Sequence, residues 1–147
     1  VKHLSKAQKA VVAAPNLSPS PENDAKLAKI LWLLAEEFAF STDELSTLLD
    51  VKPRTVQDCR AKKTLPLSSS DRYRRVGLLL GIKKNLEILF PRNPEVRENW
   101  LRVPREAFGQ RSAMDLVLAD PVNSMGLLFS VRRLLDLQCN GAVHAVI

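Results

Sequence analysis

Apolar residues recur three and four positions apart along most of the chain, with no alternation longer than a few residues and no internal repeat, so the pattern predicts an all-α fold. Leu27, Ile30, Leu31, Leu34 and Phe38 define a first amphipathic helix, capped by Ser20, with Pro21 in its first turn and an end before Ser41. Ser41 and Glu44 are spaced as a capping box for the next helix. After two short helices, Thr64-Leu65-Pro66 closes the unit, and a long helix is expected from Ser70 to about Phe90. Tyr73, Val76, Leu79 or Leu80, Ile82, Leu86 and Leu89 supply its buried side, although it is apolar on more than one face. Gly77 and Gly81 are four apart on it and have two readings: a close approach by another helix, such as a subunit contact, or a break into two helices at Gly81. Pro91 ends the element. Asn93-Pro94 starts a short helix through Trp100 and Leu101, and Ser112 with Asp115 starts the next. Asn123 caps a last helix carrying Met125, Leu128, Val131, Leu134 and Leu135, which Asn140-Gly141 stops. The expected organisation is a flexible leader over 1–20, a unit over 21–90 and a second over 91–147.

Within the first unit, the run DELSTLLDVKPRTVQDC from Asp43 to Cys59 has the spacing of a helix-turn-helix. Leu45, Leu48 and Leu49 would face the core, Ser46 would allow the second helix to cross, the turn would fall at Asp50, and Val51 would plug the angle. Asp50 stands where glycine is usual, and aspartate tolerates the left-handed conformation better than most residues. Pro53 suits a first helical turn, while Val56 and Cys59 would hold the second helix inward. That leaves Arg54 and Gln57 outward to meet base edges in a major groove, with Lys52, Thr55, Arg60, Lys62 and Lys63 near phosphates. Asp58 is also outward and places one negative charge on the same surface. The charge distribution agrees. Between Lys52 and Arg75 there are eight basic residues, Arg72, Arg74 and Arg75 among them, against Asp58 and Asp71, which equals the whole net charge of +6. A helix-turn-helix of this size is expected to work as a homodimer on two half-sites.

Other chemistry is sparse. No stretch approaches the roughly 20 apolar residues of a membrane span, and residues 1–21 lack the apolar core of a secretion signal, so a cytoplasmic protein is expected. Cys59 and Cys139 form no C-x-x-C pair, which leaves neither a disulfide framework nor a metal site. With two histidines near the ends, no glycine-rich phosphate loop and no base beside the serines at 68–70, neither catalysis nor a cofactor is expected.

Downstream, the segment from Trp100 to Gly141 holds Trp100, Pro104, Phe108-Gly109, Asp115-Leu116, Val131, Leu134-Leu135 and Gly141 in order. It resembles the toxin-binding domain of the Xre/MbcA/ParS antitoxins, and with the upstream motif the resemblance spans roughly residues 27 to 141. The chain departs from that pattern at Gln110, where a second glycine is common, at Ala113, where proline is common, and at Pro121-Val122-Asn123, which replaces a short turn. The resemblance implies an Xre/Cro-like helix-turn-helix bundle followed by a small helical toxin-binding domain. The implied function is that of an antitoxin: it neutralises a RES-domain toxin, an NAD-consuming enzyme, by occluding its active site, and represses its own operon. Its expected toxin contacts are Trp100, Phe108, Gly109, Arg132, Arg133, Asn140, Gly141, His144 and Ile147. The C-terminal segment from the final helix through Ile147, with its apolar tail Ala142 to Ile147, is the expected plug of the toxin's active-site entrance, the alternative being a tail that folds back on its own core or is disordered. The alternatives are a stand-alone dimeric regulator without a toxin and, more remotely, an enzyme.

Overall fold

The first helix begins where its cap places it. In this computed structural model, which describes residues 20–66 and 70–141, the Ser20 side chain accepts a hydrogen bond from the Asn23 N–H at 3.1 Å, and Pro21 opens α1 (Pro21–Glu37). The capping box of α2 (Thr42–Leu49) is complete, with Ser41 Oγ accepting from the Glu44 N–H at 3.1 Å and Glu44 Oε1 accepting from the Ser41 N–H at 2.9 Å. Asp50 closes α2 at φ 53° and ψ 54°, the left-handed conformation the turn needs, and α3 (Pro53–Lys62) follows with its proline in the first turn. Next come α4 (Ser70–Leu89), unbroken at Gly81, and α5 (Pro94–Asn99), which runs into a 3₁₀ turn at Trp100–Arg102. A second 3₁₀ turn (Glu106–Phe108) precedes α6 (Ala113–Leu118), and a third (Pro121–Asn123) leads into α7 (Ser124–Cys139). Among the described residues the fold is all-α, its only β-type pairing an isolated bridge between Arg105 and Arg111. No helix among them is long and apolar enough to cross a membrane. The expected leader over 1–20, apart from Ser20, and the tail over 142–147 with His144 and Ile147 lie outside the described residues.

α4 is the centre of the fold. Val76, Leu78, Leu79, Leu80, Ile82 and Leu86 are buried on every side of it, as an apolar pattern without a polar face requires. α7 packs along α4, and α1 and α2 also pack against it. One continuous cluster runs from Leu27 and Leu45 through Trp100 and Met114 to Val131 and Leu135, so the hydrophobic core does not divide at residue 90. α1 buries more than its spacing indicated: Ala28, Trp32 and Ala35 join the core while Ile30 is only half-buried. Trp32 Nε1 donates to the Thr64 carbonyl at 2.9 Å, which seats the segment after α3 against α1.

Several polar residues differ from their expected roles because hydrogen bonds within the fold take them up. Arg75 does not join a phosphate-facing surface. It is 6% exposed, and its guanidinium donates to Asp71 Oδ2 at 3.1 Å, to the Leu48 carbonyl at 3.2 Å and to Ser124 Oγ at 2.9 Å. A single side chain on α4 thus ties the end of α2 to the start of α7. Arg72 donates to the Asp50 carbonyl at 3.1 Å and steadies the α2–α3 turn. Asn123 occupies the cap position of α7, but its amide donates to Asp120 Oδ2 at 2.8 Å and makes no cap bond. Gly81 contacts the chain's own α7: a Cβ there would lie 2.5 Å from Arg132 Cζ. The glycine makes room for that guanidinium, so at Gly81 the close approach is intramolecular and the expected subunit contact is not needed to explain it.

Candidate nucleic-acid interface and partner surface

The α2–α3 pair is held by local chemistry. The Val51 N–H donates to the Ser46 carbonyl at 3.1 Å and Ser46 Oγ donates to the Val51 carbonyl, closing the turn from both sides. Val56 is fully buried and Cys59 partly so against the core, which rotates the other faces of α3 outward. Arg54, Gln57, Asp58 and Ala61 form one exposed stripe at helical spacing, with Lys52, Lys62 and Lys63 exposed at the two ends. Thr55 is half-buried. Lys63 ends α3 at φ 56°, and Arg60 and Lys62 in the last turn complement the negative end of the helix dipole.

Arg60 is turned back onto its own fold. Its guanidinium donates to the Phe40 carbonyl at 3.2 Å and lies 5.7 Å from the Trp32 ring centroid, so its reach toward a phosphate is spent on the α1–α2 corner. With Arg72 and Arg75 also occupied, the outward cations of this region are Lys52, Arg54, Lys62, Lys63 and Arg74.

The C-terminal residues sort into buried and exposed sets. Trp100 is fully buried, contrary to its expected role as a contact: Phe108 meets it edge-on at 6.2 Å and Arg105 lies over its ring at 4.2 Å. Arg105 also donates to the Trp100 carbonyl at 3.1 Å. Tryptophan is therefore the base on which the 103–111 loop is built. That loop is pinned at its neck, where the Arg105 N–H donates to the Arg111 carbonyl at 3.1 Å and the Gln110 N–H to the Arg105 carbonyl at 2.9 Å. Gly109 and Gln110, both at φ 65°, form its exposed tip, and Phe108 is half-buried beside them. Arg132, with an 18% exposed side chain, lies across Gly81 and pairs with Asp136 at 3.7 Å, so it too faces inward. Arg133, Asn140 and Gly141 are exposed.

Two features lie outside the residues expected from the sequence. Arg102 donates to both Glu44 oxygens, at 2.7 and 2.9 Å, and to the Phe38 and Ala39 carbonyls at 3.2 and 3.0 Å, clamping the C-terminal segment onto the α1–α2 corner. Its hydrogen bonds hold the Glu44 carboxyl below the usual glutamate range. The second is Phe129, 56% exposed on α7; its helical spacing relative to Leu128 and Val131 places it off the buried side. Comparison with protein-family models, with curated proteins and with solved structures finds no match.

Proposed function

We propose that α2 and α3 act as a helix-turn-helix that lays α3 in the major groove of an operator. In the same reading, the segment from Trp100 onward binds and occludes a RES-domain toxin, making the chain an autoregulating antitoxin. The observation that carries the DNA half is the exposed Arg54–Gln57 stripe, backed by a fully buried Val56 and flanked by Lys52, Lys62 and Lys63. Arg54 reads guanine, Gln57 reads adenine or a neighbouring base, and the lysines meet phosphates. The partner half rests on the resemblance. Two departures from that pattern support it on inspection: Gln110 takes the left-handed conformation that suits glycine, and Ala113 occupies the first helical position that suits proline. The 103–111 tip and the end of α7 at Asn140-Gly141 are the exposed toxin contacts in this reading.

Selection from a random duplex library tests the DNA half. The full chain is expected to enrich a two-half-site sequence with centres about 34 Å apart. Arg54→Ala should then lose about 1–3 kcal/mol of discrimination at one base pair, while Lys62→Ala weakens all duplexes alike and lowers the salt slope. No enrichment, or equal discrimination in an Arg54→Ala/Gln57→Ala variant, would remove the base-reading assignment.

A further inference from the structure

The outward face of α7 has a feature that the chain's own packing does not explain. Gly126 lies in the helix, where glycine is less favourable than alanine, yet a Cβ there would meet nothing within 4 Å. Gly81, by contrast, is explained by Arg132. Three positions beyond Gly126 stands Phe129, 56% exposed, and on the 3₁₀ turn that leads into α7 stands Val122, 92% exposed. Arg133, one turn beyond Phe129, is exposed and makes no ion pair among the described residues. The face of α7 therefore carries an aromatic knob, an open hole and an exposed cation along one stripe, with an exposed apolar residue on the turn before it.

We propose that this face joins two copies of the chain, with α7 antiparallel to α7 of the second copy and Phe129 of each seated over Gly126 of the other. An axis between residues 127 and 128 makes both contacts at once, because two-fold pairing brings each knob to the other copy's hole. The same arrangement directs Arg133 of each copy toward the segment that enters α7 of the other, where Val122 and the Asp120 carboxylate are exposed. An unlike partner has no reason to supply both a matching aromatic and a matching acid. A second copy supplies both twice. The contact rests on the dimer expected for operator binding, but neither DNA nor toxin takes part in it, and it assigns Arg133 to the subunit contact instead of the toxin. A single helix pair buries less than the roughly 800 Å² per partner of a standard stable interface, so micromolar self-association is expected.

Sedimentation equilibrium of the full chain without DNA, from micromolar to submillimolar concentration, tests it. Wild type should associate to a dimer. Phe129→Asp should raise the dissociation constant on the order of 30-fold or more. Gly126→Leu should do likewise while holding or raising the thermal midpoint, which separates loss of assembly from loss of fold. Asp120→Arg should weaken the dimer, and Asp120→Arg/Arg133→Asp should recover it. A chain that is monomeric throughout this range, or Phe129→Asp and Gly126→Leu variants that associate as wild type does, would overturn the proposal. So would a Phe129→Asp chain that keeps its self-association but fails to bind toxin on coexpression, since the face would then belong to the toxin. Operator selectivity measured on the same variants remains a separate readout of α3.

Discussion

Replacing Arg75 by methionine keeps most of the aliphatic stem and removes the guanidinium, which makes it a clean probe of the tie between α2, α4 and α7. The Leu48 carbonyl and the buried Ser124 hydroxyl each lose a charge-assisted hydrogen bond in a place water does not reach, at about 1–3 kcal/mol apiece. Asp71 is half exposed, so its pairing contributes less than about 1 kcal/mol. The total loss should be about 3–5 kcal/mol, in the range for breaking a buried ionic network and a large part of the stability of a domain this size. Urea unfolding followed by far-ultraviolet circular dichroism gives the difference directly. Asp71→Asn should stay within about 0.5 kcal/mol of wild type and Ser124→Ala should cost about 1–2 kcal/mol. The Arg75→Met/Ser124→Ala double variant should show coupling of about 1 kcal/mol. An Arg75→Met chain that loses less than about 1 kcal/mol, or keeps its stability while losing DNA affinity, would refute this and return Arg75 to the phosphate-facing set.

Three further outcomes follow from the geometry. Gln110→Gly should stabilise the fold by about 0.5–1 kcal/mol, because φ 65° is strained for glutamine and the backbone bond to Arg105 is kept; a neutral or destabilised variant in urea unfolding would contradict this. Glu44 is held below its ordinary pKa chiefly by Arg102, so the pair's contribution, about 1–2 kcal/mol, is fully present above the unfolded glutamate pKa and disappears as pH falls through the folded value. The stability gap between wild type and Arg102→Met should therefore be constant near neutrality and narrow in acid to what the Phe38 and Ala39 carbonyl bonds supply, and a gap independent of pH down to the acid transition would rule the pair out. Burial, helped by Asp136, pushes the Cys139 thiol up to about 11 from 9.0, so its thiolate at pH 8 is about 100-fold scarcer than that of an ordinary thiol and alkylation, followed by mass spectrometry, should be correspondingly slow. Labelling at the rate of free cysteine would contradict that environment.

Caps, turns and apolar periods were legible in the sequence because each depends on neighbours within one or two turns. Ser20, the Ser41–Glu44 box, left-handed Asp50, Pro53, Ser112 and the Gly141 stop all fall where their spacing placed them. The outward set on α3 was legible for the same reason, since burying Val56 and Cys59 leaves little freedom for Arg54 and Gln57. What failed to show was long-range polar pairing. Arg60, Arg72 and Arg75 look alike in a run of cations, and only the positions of the Phe40, Asp50 and Leu48 carbonyls distinguish a surface charge from a clamp. Trp100 and Arg132 illustrate the same limit: being part of an ordered pattern says that a residue matters, while burial decides whether it touches a partner or positions what does.

The antitoxin reading stands or falls on coexpression with a RES-domain toxin. The full chain should copurify with the toxin, preserve cellular NAD and restore growth, and lose all three on Gln110→Asp/Asn140→Asp, two exposed positions where the change leaves unfolding unchanged. A chain that binds its operator selectively yet neither copurifies with such a toxin nor preserves NAD would contradict it and leave a stand-alone regulator.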